Sequence, residues 1–153
     1  MWCRFGSEAK RGLRGEGGAV AVEFAILVPV FLLLVFGIMD FGHAFYMKQM
    51  VSNASREGAR YGARYTTNAA GNHLIPNAFS PSIASWVSSQ YSSLLPSDAS
   101  VQVTPGGAGY TSGLAGADLS VAVTATKHWW VVGSLLGWEP TKAISATTWT
   151  KIE

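Results

Sequence analysis

Residues 19–39 read AVAVEFAILVPVFLLLVFGIM, and this run decides the architecture of the chain. Within it only Glu23 carries a charge, and Asp40 follows its last residue. A bilayer core about 30 Å thick needs about 20 apolar residues in a helix that rises 1.5 Å per residue. The run is apolar on all sides, which is typical of a lipid-facing helix. The sequence therefore predicts a transmembrane helix at residues 19–47, in which Pro29 is tolerated.

Two other interpretations compete with a membrane anchor. A soluble protein can bury an apolar helix, but a run of this length and purity is unusual there. A secretory signal peptide would have a cleavage site of small residues after the run. The segment that follows Met39 reads DFGHAFY and contains no clear A-x-A pattern. We therefore favour an anchor that is not cleaved on the C-terminal side of the helix.

The charges are few and unevenly distributed. The chain has 153 residues, of which 48% are apolar and 13% charged, with a net charge of +2. Residues 1–18 hold four basic and two acidic side chains, and the rest of the chain holds seven of each. Basic residues beside a membrane span stay in the cytoplasm. Residues 1–18 are therefore predicted to be a basic cytoplasmic leader or tail, and residues 48–153 to lie outside; the small net charge does not favour nucleic acid as a partner.

Residues 48–68 are predicted to continue the helix beyond the membrane. Small and apolar residues recur there at helical spacing: Met47, Met50, Val51, Ala54, Gly58, Tyr61, Gly62 and Tyr65. Among them, Ala54, Gly58 and Gly62 form a small-xxx-small ladder, which lets another backbone approach closely. That face could pack on the chain's own sheet or on another molecule, and the sequence leaves both alternatives open. The segment from residue 68 to residue 72, NAAGN, is predicted to end the helix.

Residues 69–153 predict a small α+β domain. A short helix is expected over residues 80–95, with Ser80 as its cap and Pro81 in its first turn. Alternation of apolar and polar residues predicts three strands, which contain Val101 and Val103, Leu119 to Thr126, and Ile144 to Thr150. The fold class is therefore α+β: a long N-terminal helix, a short helix and a three-stranded antiparallel sheet.

Two connecting segments have unusual composition. Residues 105–116 are rich in glycine and predict a loop, without the pattern of a phosphate-binding turn. Residues 128–138 read HWWVVGSLLGW and are too short to span a bilayer. The tryptophans of this segment could lie at the membrane interface or could cover the sheet as part of the core. We favour the core.

The sequence offers little catalytic chemistry. His43, His73 and His128 are isolated and lack the spacing of metal ligands. Serine-nucleophile and zinc-protease motifs are absent from the sequence. The single cysteine, Cys3, excludes a disulfide within one chain. We therefore predict a protein that is not an enzyme and needs no cofactor, metal or small-molecule substrate.

The junction between the basic leader and the apolar run carries the functional signal. Gly18 ends the leader, four small or branched residues from Ala19 follow, and then come Glu23 and Phe24. An ionisable group inside a membrane run is costly and usually functional. The arrangement resembles the processing site of type IV pilin-like precursors in the Tad/Flp form, where a prepilin peptidase cuts after the glycine. Cleavage would leave an amino group on Ala19 one helical turn from Glu23, close enough to pair with it.

The resemblance extends along the helix. The segments FGIMDFG at 36–42 and NASREGAR at 53–60 are similar to the TadE-like family, pseudopilins of the Flp pilus or tight-adherence machinery. The resemblance implies an assembly or packing role for Asn53, Ala54, Arg56, Glu57, Gly58, Ala59, Arg60 and Gly62. It also implies a pilin-like fold and a place in the bacterial inner membrane. The expected partners are the lipid bilayer, a prepilin peptidase, other pseudopilins and the pilus assembly machinery.

The resemblance favours one function and leaves two alternatives. The favoured function is that of a minor pseudopilin-like, membrane-anchored structural subunit in assembly of an Flp-type pilus. The first alternative is an unprocessed single-pass envelope protein with an extracytoplasmic binding domain. The second is a membrane-tethered hydrolase that would use His73 or His128.

Overall fold

A long helix dominates the computed structural model, which describes residues 16–94 and 101–153. Helix α1 runs from Glu16 to Ala63 without a break at Pro29. Its 48 residues give a length of about 70 Å at 1.5 Å per residue. Among the described residues it is the one helix long and apolar enough to cross a membrane, as judged by length and composition. This result suggests a single-pass membrane protein.

The rest of the described chain forms a small domain around the C-terminal half of α1. Its elements are α2 (Ile83–Tyr91), β1 (Val101–Gly106), α3 (Ala108–Ser112), β2 (Asp118–His128), α4 (Val132–Leu136) and β3 (Thr141–Lys151). The three strands form an antiparallel sheet in the order β1-β2-β3. The central strand aligns Val123 with Val103 on one side and with Ala146 on the other. The α+β fold class predicted from the sequence is confirmed.

The core lies between one face of the sheet and the C-terminal half of α1. Alternate residues of β2 are buried, as its period-two pattern requires: Leu119, Val121, Val123 and Ala125. From α1 the core receives Met47, Val51, Ala54 and Ala59. Helix α2 contributes Ile83 and Val87. The domain is therefore built directly on the long helix, which is one wall of its core.

The ends of the predicted helices differ from the observed ones. Helix α1 ends at Ala63, before the predicted end near Asn68. The side-chain oxygen of Asn68 accepts hydrogen bonds of 2.9 Å from the backbone N–H groups of Ala70 and Asn72, which favours a turn. Helix α2 is capped by Ser82, whose hydroxyl accepts from the Ser85 N–H at 3.2 Å, and not by Ser80. Helix α2 ends at Tyr91, and residue 95, the predicted last residue of this helix, lies outside the described residues.

Two connections also differ from the prediction. The glycine-rich segment is not only a loop, because it contains the end of β1 and the short helix α3. Pro105 fits within β1 because this strand is at the edge of the sheet. The segment 128–138 contains α4, which packs beside α1 and does not cover the sheet. In α4 only Val132 and Gly133 are buried, so the prediction that this segment belongs to the core was wrong for most of it.

Candidate functional site

A buried carboxylate joins α1 to the connection that contains α4. Asp40 follows the apolar run, and its side chain is fully buried. Its Oδ1 accepts hydrogen bonds from Lys127 Nζ and from the Trp130 N–H, both at 3.2 Å. Its Oδ2 accepts from the N–H groups of Val131 at 3.0 Å and Val132 at 3.1 Å. Asp40 therefore fixes the first turn of α4 against the long helix; we call this arrangement the Asp40 clamp.

Lys127 supplies the charge that makes the burial of Asp40 tolerable. Its side chain is fully buried at the end of β2 and also donates to the His128 carbonyl at 2.6 Å. Its ammonium lies 5.1 Å from the ring centroid of Trp129 and 5.0 Å from that of Trp130. Such positions over aromatic faces attract a cation. An unpaired buried charge is costly, so each partner of the pair depends on the other.

The Asp40 clamp is not evident from the sequence. In the sequence Asp40 is prominent only as the charge after the apolar run and as part of the segment FGIMDFG at 36–42, and no motif includes Lys127. One signal was present, because Lys127 is the only basic residue between Arg64 and Lys142. An isolated lysine at the end of an apolar strand needs a partner when it is buried. The sequence alone does not indicate which acidic residue provides it.

The predicted assembly motif is divided between two faces of α1. On the inner face Ala54, Gly58, Ala59 and Gly62 are buried. A Cβ atom on Gly58 would lie 2.8 Å from Val87 Cγ2 and 3.1 Å from Val121 Cγ1. The small residues therefore let α2 and the sheet approach the helix. Of the two alternatives left open by the sequence, the structure shows that the ladder packs within the chain.

The outer face of the same motif is polar. Arg56 and Arg60 are exposed, and Arg60 forms a 3.7 Å ion pair with Glu57. Asn53 accepts a hydrogen bond from the Gln49 side chain at 3.2 Å. Between this face and β3 lies an open groove of about 290 Å³, which we call the basic groove. Its charged and aromatic lining residues are Arg56, Arg60, Arg64, Trp149, Lys151 and Glu153.

Glu57 also influences a neighbouring tyrosine on α2. Burial raises the pKa of the Tyr91 hydroxyl above its ordinary value, and the negative charge of Glu57 raises it further. The Tyr91 hydroxyl therefore stays protonated at physiological pH.

The residues of the predicted processing site lie at the start of α1. Gly18, Ala19, Glu23 and Phe24 are all exposed. A Cβ atom placed on Gly18 would have no neighbour within 4 Å. The Glu23 side chain lies one turn from Ala19, as the sequence indicated. The leader that would precede the cleavage site falls mostly in residues 1–15, outside the described residues.

The histidines of the described chain do not form a metal site. His73 stacks on Tyr65 with ring centroids 4.6 Å apart, and His43 stacks on Trp130 at 5.1 Å. Within residues 16–94 and 101–153, no group of three or more His, Cys, Asp and Glu side chains is placed to hold a metal ion.

The geometry defines a class of protein: a pilin-like α+β domain built on one long N-terminal helix whose first half is apolar and uncovered. Within this class, residues 18–60 match the family model described as TadE-like protein. The match includes the predicted processing site, Asp40 and the assembly motif from Asn53 to Arg60, and it confirms the resemblance over those residues. It supports a structural role associated with the Tad/Flp pilus. Comparison with curated proteins and with solved structures gave no match.

Proposed function

We propose that the chain is a minor pseudopilin-like subunit that helps to assemble an Flp-type pilus from the bacterial inner membrane. The observation that supports this most is the family match over residues 18–60, which lies entirely on α1. In that stretch the uncovered apolar run at residues 19–39 is followed by the polar residues of the assembly motif at residues 53–60. A subunit of this design can be held in a membrane by its helix and can present its domain to an assembly on one side.

Processing by a prepilin peptidase is the first part of the proposal. Cleavage after Gly18 would remove the basic leader and place a new amino group on Ala19. The carboxylate of Glu23 is exposed one turn away, so it could pair with this amine or with that of a neighbouring subunit. In lipid such a pair is favoured, because an isolated carboxylate is costly there. The orientation follows from the basic leader, which would remain in the cytoplasm.

The mature N-terminus tests this part. Intact mass and N-terminal sequencing of the protein from host membranes should show a chain that begins at Ala19. Gly18→Val should block cleavage, because the side chain is placed directly at the cleaved bond. Gly17→Val is the matched control: it has the same change one residue earlier, and cleavage should continue. A wild-type chain that retains residues 1–18 would support the alternative, an unprocessed envelope protein with an extracytoplasmic binding domain.

Docking to a partner subunit is the second part. The inner face of the motif is occupied by the chain's own core, which leaves the outer face for contacts with other molecules. Arg56 and Arg60 are exposed there beside the basic groove. Arginine is favoured at protein interfaces, where its planar group binds carboxylates through two hydrogen bonds. We therefore assign partner recognition to this outer face.

Co-purification from host membranes measures this docking. Arg60→Ala should reduce the amount of partner pseudopilins recovered with the protein and leave its membrane insertion unchanged. Lys142→Ala removes an exposed basic residue of β3 that does not line the basic groove, and it should have no effect. Recovery of partners with Arg60→Ala at the wild-type level would contradict the assignment.

A further inference from the structure

Helix α4 lies against the apolar run of α1 and not against the core of the domain. A Cβ atom built on Gly37 would lie 4.0 Å from Val132 Cγ2, so the two helices approach each other closely at this point. Next to the contact they enclose an open groove of about 580 Å³. Its lining is almost wholly apolar and includes Leu33, Leu34, Ile38, Phe41, Leu135 and Leu136.

The position of this groove along α1 determines how deeply it would lie in the bilayer. Leu33, Leu34 and Gly37 belong to the run that is long enough to cross the bilayer. From Asp40 back to Leu33 the helix descends about 10 Å at 1.5 Å per residue. Half of a bilayer core is about 15 Å. An element beside Leu33 and Gly37 therefore lies within the hydrocarbon of one leaflet whenever residues 19–39 span the membrane.

The surface of the α4 segment suits that environment. Leu135 is 57% exposed and Leu136 55%, and Trp130 and Trp138 are exposed beside them. The sequence from Trp129 to Trp138 contains no charged residue. In water a contiguous apolar surface of this kind is unfavourable, and indole rings are enriched at the boundary between lipid and water.

Several backbone N–H groups of this segment have hydrogen-bond partners within the protein. The Asp40 carboxylate accepts the N–H groups of residues 130–132, and Lys127 neutralises its charge. The Leu135 N–H donates to the Val131 carbonyl at 3.1 Å, and the Trp138 N–H donates to the Gly133 carbonyl at 2.9 Å. Backbone groups at membrane depth require such partners, because lipid offers none.

We propose that α4 inserts into the leaflet on the side of the domain, and that lipid acyl chains fill the groove between α1 and α4. The proposal rests on the membrane span of α1. It assigns lipid as the occupant because the groove is continuous with the lipid-facing surface of the run. The inserted segment fixes the height of the domain above the bilayer, with the Asp40 clamp holding it to α1.

Fluorophores at single cysteines test the depth of α4. The full chain with Cys3→Ser carries an NBD label at Leu136→Cys, Leu33→Cys or Thr147→Cys, and is reconstituted into vesicles of phosphatidylcholine and phosphatidylglycerol. Residue 147 is exposed on β3 and provides the aqueous control, whereas residue 33 is the control for the span. Each label is exposed to iodide in the water and, separately, to spin-labelled acyl chains.

The expected result is that the label at residue 136 behaves as the label at residue 33 does. It should be quenched by spin-labelled lipid and be several-fold less sensitive to iodide than the label at residue 147. Iodide quenching at residue 136 equal to that at residue 147, with residue 33 still in lipid, would overturn the insertion and leave the span intact. Protection at residue 136 from both quenchers would indicate a protein cover and would also overturn it. Iodide access at residue 33 would overturn the span itself.

Discussion

The two halves of α1 belong to one continuous helix and have opposite surroundings. In the first half Phe24 and Ile26 are each 65% exposed, and no element within the described residues covers them. In the second half Met47 and Val51 are completely buried against the sheet and α2. The first half has apolar residues on all sides. The second half has them only along the stripe that faces the sheet and α2.

One continuous helix therefore combines an uncovered apolar segment with a segment that packs in the core of the domain. Over most of its length the first half has no neighbour among the described residues, and an apolar surface on all sides suits lipid without a specific fit. The second half needs a close fit, which the ladder of small residues allows. Asp40 marks the change between the two, because its buried side chain joins the helix to Lys127 and to the α4 segment. Substitutions at the boundary and in the second half can measure how much charge, packing and hydrogen bonding contribute to the stability of the domain.

The largest effect is expected at the boundary between the halves. Asp40→Ala would leave Lys127 buried without its counter-charge and three N–H groups without their acceptor. Breaking one side of a buried pair costs about 3–5 kcal/mol. Thermal or denaturant unfolding in detergent micelles should show a loss in this range.

A surface ion pair on the same sheet provides the matched control. Asp118 and Lys151 are 3.3 Å apart and mostly exposed. Asp118→Ala should therefore cost less than about 1 kcal/mol. The double substitution Asp40→Leu with Lys127→Met should be less harmful than Asp40→Ala alone, because it removes both charges. Equal losses for Asp40→Ala and Asp118→Ala would show that the clamp is not important for stability.

The next effect concerns the fit of the second half of α1. Gly58→Val would place new atoms within 3 Å of Val87, in a core that has no room for them. Overpacking of this kind costs about 1–3 kcal/mol. Gly42→Val introduces the same side chain at a position where a Cβ atom would meet nothing within 4 Å. Unfolding in micelles should separate the two variants; similar stabilities would contradict the close packing at Gly58.

A smaller effect distinguishes the observed cap of α2 from the predicted one. Ser82→Ala removes the acceptor for the Ser85 N–H and should cost about 1 kcal/mol. Ser80→Ala makes the same chemical change two residues earlier, outside the helix, and should leave the midpoint of unfolding unchanged. The opposite order of the two variants would restore Ser80 as the cap.

Local periodicity made most of the fold predictable. The apolar run, the helical stripe and the alternation in the strands each reflect a repeat within a few neighbouring residues, and each is observed. Asp40 and Lys127 are 87 positions apart in the sequence, so no local pattern joins them. The choice between Ser80 and Ser82, and the end of α1 at Ala63, depend on which hydrogen bonds compete locally. The position of α4 was not predicted, because the composition of an apolar segment does not indicate whether it packs into a core or remains exposed.

The smallest effect on stability should come from the outer face of the motif. Arg60→Ala breaks only the exposed ion pair with Glu57, and an exposed pair at this helical spacing contributes about 0.3–0.5 kcal/mol. The unfolding midpoint in micelles should therefore remain close to the wild-type value, and well above that of Gly58→Val, only two residues away. Such a result would separate the faces of one motif, because packing within the chain would depend on the glycine and partner recognition on the arginine. A loss of stability with Arg60→Ala comparable to that with Gly58→Val would show that the arginine supports the fold, and reduced co-purification could then not be attributed to docking.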